Sequence, residues 1–120
     1  MSKISLLSYL SGDNDICDFI EQYQDISAIS IISYYEVLNY DFTQAEELIV
    51  KDFLKGFEIL NINHNIINQA LLNRKSKKIK MADNFILATA QMYDLEIVTR
   101  NIKDFVFFYD KVLNPFDTTQ

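Results

Sequence analysis

Apolar positions along this chain fall into short blocks with two different periods. Residues 4–10 place Ile4, Leu7 and Leu10 three apart among Ser and Lys, which predicts a helix broken at Gly12-Asp13-Asn14. Residues 16–23 predict a second short helix on the same grounds. Residues 25–32, rich in isoleucine and too short for an isolated helix, predict a buried strand. Ser33 follows with Glu36 three residues on, the capping-box signature of a helix start. Further along, the pattern predicts a helix over 44–55 stopped near Gly56 and a strand over 57–62. Helices over 65–75 and 82–93 come next, then a strand over 95–99. A helical turn over 101–105 and a last strand over 107–113 complete the series before Pro115. Strands separated by helices specify one α/β domain with a parallel central sheet flanked by helices.

Composition narrows the chemistry. The chain has 120 residues, 49% hydrophobic and 23% charged, which excludes intrinsic disorder. Two glycines and one proline disfavour a turn-rich β-sandwich. The single cysteine, Cys17, excludes a disulfide scaffold and a cysteine-based zinc cluster, and reads as a small buried apolar residue. The single histidine, His64, sits among asparagines in an expected surface loop and makes a Ser-His-Asp triad improbable. Carboxylates must therefore carry most of any chemistry. The apolar run over 105–109 is far short of the roughly 20 residues of a membrane helix. The N-terminus lacks a signal-peptide core, so a cytoplasmic protein without membrane contact is expected. The net charge of −6 opposes broad coating of nucleic acid, although a local basic patch could still hold one strand.

Three acids fall at expected helix starts: Glu36 after the strand over 25–32, Asp83 opening the helix over 82–93, and Asp104 in the turn after the strand over 95–99. In an open parallel sheet, ligands bind beyond the carboxyl ends of the strands, where these acids would gather. Converging carboxylates suit Mg²⁺ or Mn²⁺, hard ions that accept a few oxygen ligands and complete their shell with water. Each acid also has a structural role open to it. Glu36 could close a capping box with Ser33, Asp83 could complement the helix dipole, and Asp104 could cap against Asn101.

Residues 78–90, Lys-Ile-Lys-Met-Ala-Asp-Asn-Phe-Ile-Leu-Ala-Thr-Ala, then 95–105, Leu-Glu-Ile-Val-Thr-Arg-Asn-Ile-Lys-Asp-Phe, and Leu113-Asn114-Pro115 carry a resemblance. Together they resemble the C-terminal half of a PIN-domain nuclease, more narrowly a VapC-type toxin of bacterial toxin–antitoxin pairs. Residues 29–38, Ile-Ser-Ile-Ile-Ser-Tyr-Tyr-Glu-Val-Leu, match the family's strand, hydroxyl cap and glutamate. The resemblance implies a metal-dependent endoribonuclease using Mg²⁺ or Mn²⁺. It places Glu36, Asp83 and Asp104 as catalytic metal ligands and Thr99, Asn101 and Ser33 as polar support. It also implies an RNA substrate, a cognate antitoxin and a homodimer.

The family pattern opens with an apolar strand ending in an aspartate, before a helix that runs into Gly. Here the expected helix over 4–10 begins almost at Met1, so the N-terminal strand and its aspartate are expected to be missing. Asp13 and Asp15 lie at the wrong end of that helix to replace it. A catalytically inactive relative that retains antitoxin binding or dimerisation is the alternative. A phosphoacceptor-type acid pocket is a third, but no acid follows a first strand here. Arg74, Lys75, Lys77, Lys78 and Lys80 put five of the eleven basic residues just before Asp83. They read either as a solvated helix end or as an RNA phosphate contact.

Overall fold

The computed structural model of the chain describes residues 5–7, 27–99 and 101–114. Five strands form one parallel sheet in the order β3-β2-β1-β4-β5: β1 Ser5–Leu7, β2 Ser27–Ser30, β3 Glu58–Leu60, β4 Glu96–Val98 and β5 Val112–Leu113. Between them lie helices α1 Ile31–Leu38, α2 Gln44–Leu54, α3 His64–Ser76 and α4 Met81–Tyr93. Parallel neighbours need crossover connections, and the two helices between β2 and β3 supply one; α3 and α4 carry the chain from edge strand β3 across to β4 beside β1. The expected α/β class is the observed one.

The first segment departs from expectation. Ser5–Leu7 is a strand rather than part of a helix, and it takes the centre of the sheet, with Leu6 opposite Ala28 on one side and Ile97 on the other. The expected loss of the N-terminal strand is therefore corrected. The physical reason is tertiary. A three-residue apolar spacing fits a helix turn, but β2 and β4 would leave two rows of backbone groups unpaired without a partner between them. Leu6, wholly buried, gains more in the sheet than in a marginal one-turn helix. The expected helix over 16–23, with Asp13, Asp15 and Cys17, lies outside the described residues.

Both faces of the sheet are covered, which explains why β2 is buried along its whole length. Ala28 and Ile97 join Leu6, Ile86, Leu87 and Phe105 in one core layer. Ile29 and Val98, one step along the pleat, join Leu54 and Phe57 in the other.

Local chemistry sets the helix starts. For α1 the cap is Ser30, whose Oγ accepts from the Ile32 N–H at 3.1 Å. The expected capping box at Ser33 and Glu36 is therefore not formed: Ser33 is already inside the helix, buried, and its Oγ finds no hydrogen-bond partner among the described residues. A capping box does open α2, where Thr43 Oγ1 accepts from the Glu46 N–H and Glu46 Oε1 accepts from the Thr43 N–H. At α3, Asn63 Oδ1 accepts from the Ile66 N–H at 2.9 Å, which puts exposed His64 on the first helical turn rather than in a loop. Helix α4 ends on Asp94 in the left-handed region at φ 55°, a conformation Asp tolerates better than most residues.

Helices α3 and α4 are joined by buried amides. Asn73 Nδ2 donates to Asn84 Oδ1 at 3.1 Å and to Gln91 Oε1 at 2.8 Å, and Asn84 Nδ2 donates to the Ala70 carbonyl at 2.8 Å. The last expected strand shrinks to Val112–Leu113 because residues 105–109 fold into turns. There the Phe108 and Tyr109 N–H groups donate to the Phe105 carbonyl, and the Tyr109 hydroxyl donates to the Leu95 carbonyl at 2.8 Å.

Candidate active site

A cleft of about 140 Å³ opens beyond the carboxyl end of β4. Glu36, Asp83 and Asp104 line it, together with Thr99, Asn101, Ile86 and Phe105. Three separate elements thus deliver three acids to one place.

Each acid arrives by a different local route. Glu36 sits on the sixth residue of α1, past the first turn, so neither a cap nor the helix dipole accounts for it. Asp83 is the third residue of α4, where the dipole favours a carboxylate. The buried amides hold that end of the helix, since Asn84 is its next residue. Asp104 closes the short 3-10 turn Ile102–Asp104. That turn is shaped by Thr99, whose Oγ1 accepts from the Asn101 N–H at 3.0 Å, and by the Asp104 N–H donating to the Asn101 carbonyl at 3.1 Å. Asn101 makes no side-chain cap bond, so the structural role open to Asp104 at this turn is not taken up. Phe105, 2% exposed, anchors the turn in the core beneath.

Repulsion links the three acids in a chain. Partial burial raises the pKa of Glu36 above the usual carboxylate range, and the charge of Asp83 adds to the rise. Burial also raises that of Asp83, followed by repulsion from Asp104, while Lys80 draws it down. Asp83 is thus raised first by burial and second by the Asp104 charge, against the pull of the helix dipole and Lys80.

Among the described residues, no three His, Cys, Asp or Glu side chains stand close enough to form a ready-made metal cage. The donor set still fits a hard divalent ion. Mg²⁺ commonly takes one or two carboxylates and keeps several waters, and the cleft has space for them.

The supporting residues divide. Thr99 and Asn101 line the cleft, and Ser33 does not. Ile86 and Phe105 were legible only as core residues, yet they form the apolar part of the wall. The basic run is the connection from α3 to α4: Arg74 and Lys75 fall in the last turn of α3, Lys77 caps it, and Lys80 precedes α4. All five cations are exposed.

The fold is shared with solved structures. A toxin–antitoxin complex from Klebsiella pneumoniae aligns with a TM-score of 0.80 at 30% identity, covering 96% of this chain and 99% of that one. FitAcB from Neisseria gonorrhoeae aligns at 0.72 and 19% identity, over 93% and 98% of the two chains. DNA-bound VapBC from Salmonella typhimurium aligns at 0.69 and 20% identity, over 88% and 91%. No curated protein sequence matches. The sequence profile of the PIN domain matches residues 6–107, spanning β1 through the turn after Asp104. The chain belongs to the PIN-domain family.

Proposed function

We propose that this protein is a VapC-type toxin, an endoribonuclease that hydrolyses RNA phosphodiester bonds with Mg²⁺ or Mn²⁺. The observation that carries it is the meeting of Glu36, Asp83 and Asp104 in one cleft, with Asp83 repelled by Asp104 and itself repelling Glu36. Such crowding costs stability unless a cation or a proton relieves it.

Glu36, Asp83 and Asp104 would hold the ion between them. When bound, it lowers the pKa of a water and offsets charge on a phosphoryl oxygen. The protein's own residues do the remaining work. Thr99 fixes the turn that carries Asp104, while Ile86 and Phe105 limit the water reaching the acids. The exposed run Arg74, Lys75, Lys77, Lys78 and Lys80 attracts the RNA backbone toward a chain whose net charge is −6. An antitoxin partner belongs to the same reading and is supported by the Klebsiella complex, a toxin–antitoxin assembly; a homodimer is part of the reading through the family resemblance alone. No helix of the described residues is long and apolar enough to cross a membrane. A cytoplasmic location belongs to the same reading, because an RNA substrate is met there.

A second reading keeps the fold and loses the chemistry: an inactive relative that binds an antitoxin. It is favoured by the sequence after β1, which reads Ser8-Tyr9-Leu10 and reaches its first acid only at Asp13. Incubating the protein with unpaired RNA and millimolar Mg²⁺ separates the two. Cleavage that EDTA abolishes, and that Asp83→Asn reduces by more than about a hundredfold, supports the nuclease. RNA left intact by the wild type supports the binding protein.

A further inference from the structure

We infer that Phe107 and Lys77 form a subsite for an unpaired nucleotide next to the cleft, the ring stacking on a base and the ammonium meeting its phosphate. This rests on the RNA reading above and adds a base-recognition element to it.

Two chain segments that adjoin the acids meet at one point. One is the connection that ends at Lys80, whose charge reaches Asp83. The other leaves the cleft at Asp104 and Phe105. Three residues back from Lys80 and three on from Asp104, the two segments touch: the Lys77 ammonium lies 4.9 Å from the centre of the Phe107 ring. The contact, basic on one side and aromatic on the other, thus lies within a few residues along the chain of Lys80 and Asp104.

The ring is both held and available. Phe107 meets Phe108 edge to face, with ring centres 5.0 Å apart at 82°, and Phe108 packs on the main core cluster. Yet Phe107 remains 58% exposed and its neighbour Val106 52% exposed. The ring is thus held by Phe108 and by the Lys77 ammonium over it, and it is still more than half exposed. As a platform for a base it is well made, since every base has a flat face and stacking tolerates sequence. The adjacent cation adds attraction for phosphate and raises sensitivity to salt. Duplex RNA, whose bases are already stacked, cannot use the ring in this way.

Equilibrium binding tests this without requiring cleavage. Fluorescence anisotropy in EDTA is followed for an unpaired RNA oligomer of about ten nucleotides, a length within one such site. Wild type, Phe107→Ala, Phe107→Tyr and Lys77→Gln are compared. Phe107→Ala should bind about 5- to 150-fold more weakly, the range expected for one lost stack, and Phe107→Tyr should bind like wild type. Lys77→Gln should reduce the slope of log affinity against log salt by about one. An abasic nucleotide walked along the RNA should cost wild type affinity at one position and cost Phe107→Ala nothing there. Wild-type binding that Phe107→Ala leaves unchanged, or an abasic walk without a sensitive position, overturns the subsite while leaving RNA binding intact. Absence of any wild-type binding overturns the RNA reading and the subsite together. Should Phe107→Ala fold poorly, the abasic walk on wild type and the Phe107→Tyr result decide.

Discussion

Asp83 on α4 raises the pKa of Glu36 on α1 across a shared cleft, although α1 follows strand β2 and α4 follows helix α3. The two carboxylates therefore sense each other's charge. Both titrate upward on folding, with burial as the first cause in each case. A group whose pKa is raised by folding binds its proton more tightly in the folded chain. Its stabilising contribution is present in full below the unfolded value, near pH 4, and is lost as pH rises through the folded value. Without metal, then, stability should fall as pH rises out of the ordinary carboxylate range. Asp83→Asn should melt above wild type at pH 7, and the gap should close as pH approaches about 4. Thermal melts in EDTA across this range check it; a mutant melting below wild type at pH 7 would mean that Asp83 is stabilising as a capping charge instead.

The central position of β1 predicts a large effect from a single side chain. Leu6 is wholly buried between Ala28 and Ile97. Leu6→Ala should cost about 2–5 kcal/mol, read as a lower urea midpoint. On a short solvent-facing helix the same change would fall within about 0.5 kcal/mol.

Buried amides should show their coupling. Asn73 is 4% exposed and donates to both Asn84 and Gln91, so Asn73→Ala leaves buried partners unpaired at a cost of about 1–3 kcal/mol. Asn84→Ala should cost a similar amount, and the double mutant should cost less than the sum. Strict additivity in urea unfolding would show the two side chains to be independent.

Much of this molecule could be read from the sequence, for identifiable reasons. The long periodic segments behind α3 and α4, and the apolar run behind β2, declare their type because burial on one or both faces leaves a clear pattern. Glu36, Asp83 and Asp104 could be placed near one edge because a parallel sheet sends the chain out of every strand at the same side. Two things stayed hidden. Residues 5–7 carry no period of their own, and their strand exists because β2 and β4 pair with it. Ser30 and Ser33 are both hydroxyls ahead of Glu36, and only the backbone decides which one caps; the helix begins at Ile31, so Ser30 does. The Thr43–Glu46 box has the capping spacing in the sequence itself, and the apolar period over 44–55 specifies the same helix without it.

If Glu36, Asp83 and Asp104 bind one divalent ion, a thermal melt with and without millimolar Mn²⁺ at pH 7 reports it. An ion that binds only the folded chain stabilises it by about 2.7 kcal/mol at a hundredfold excess over its dissociation constant. In a domain of this size that is a rise in Tm on the order of 10 °C. Wild type should show the rise, and Glu36→Gln, Asp83→Asn and Asp104→Asn should each lose most of it. A wild-type midpoint that ignores Mn²⁺, or mutants that respond as fully as wild type, would contradict the claim.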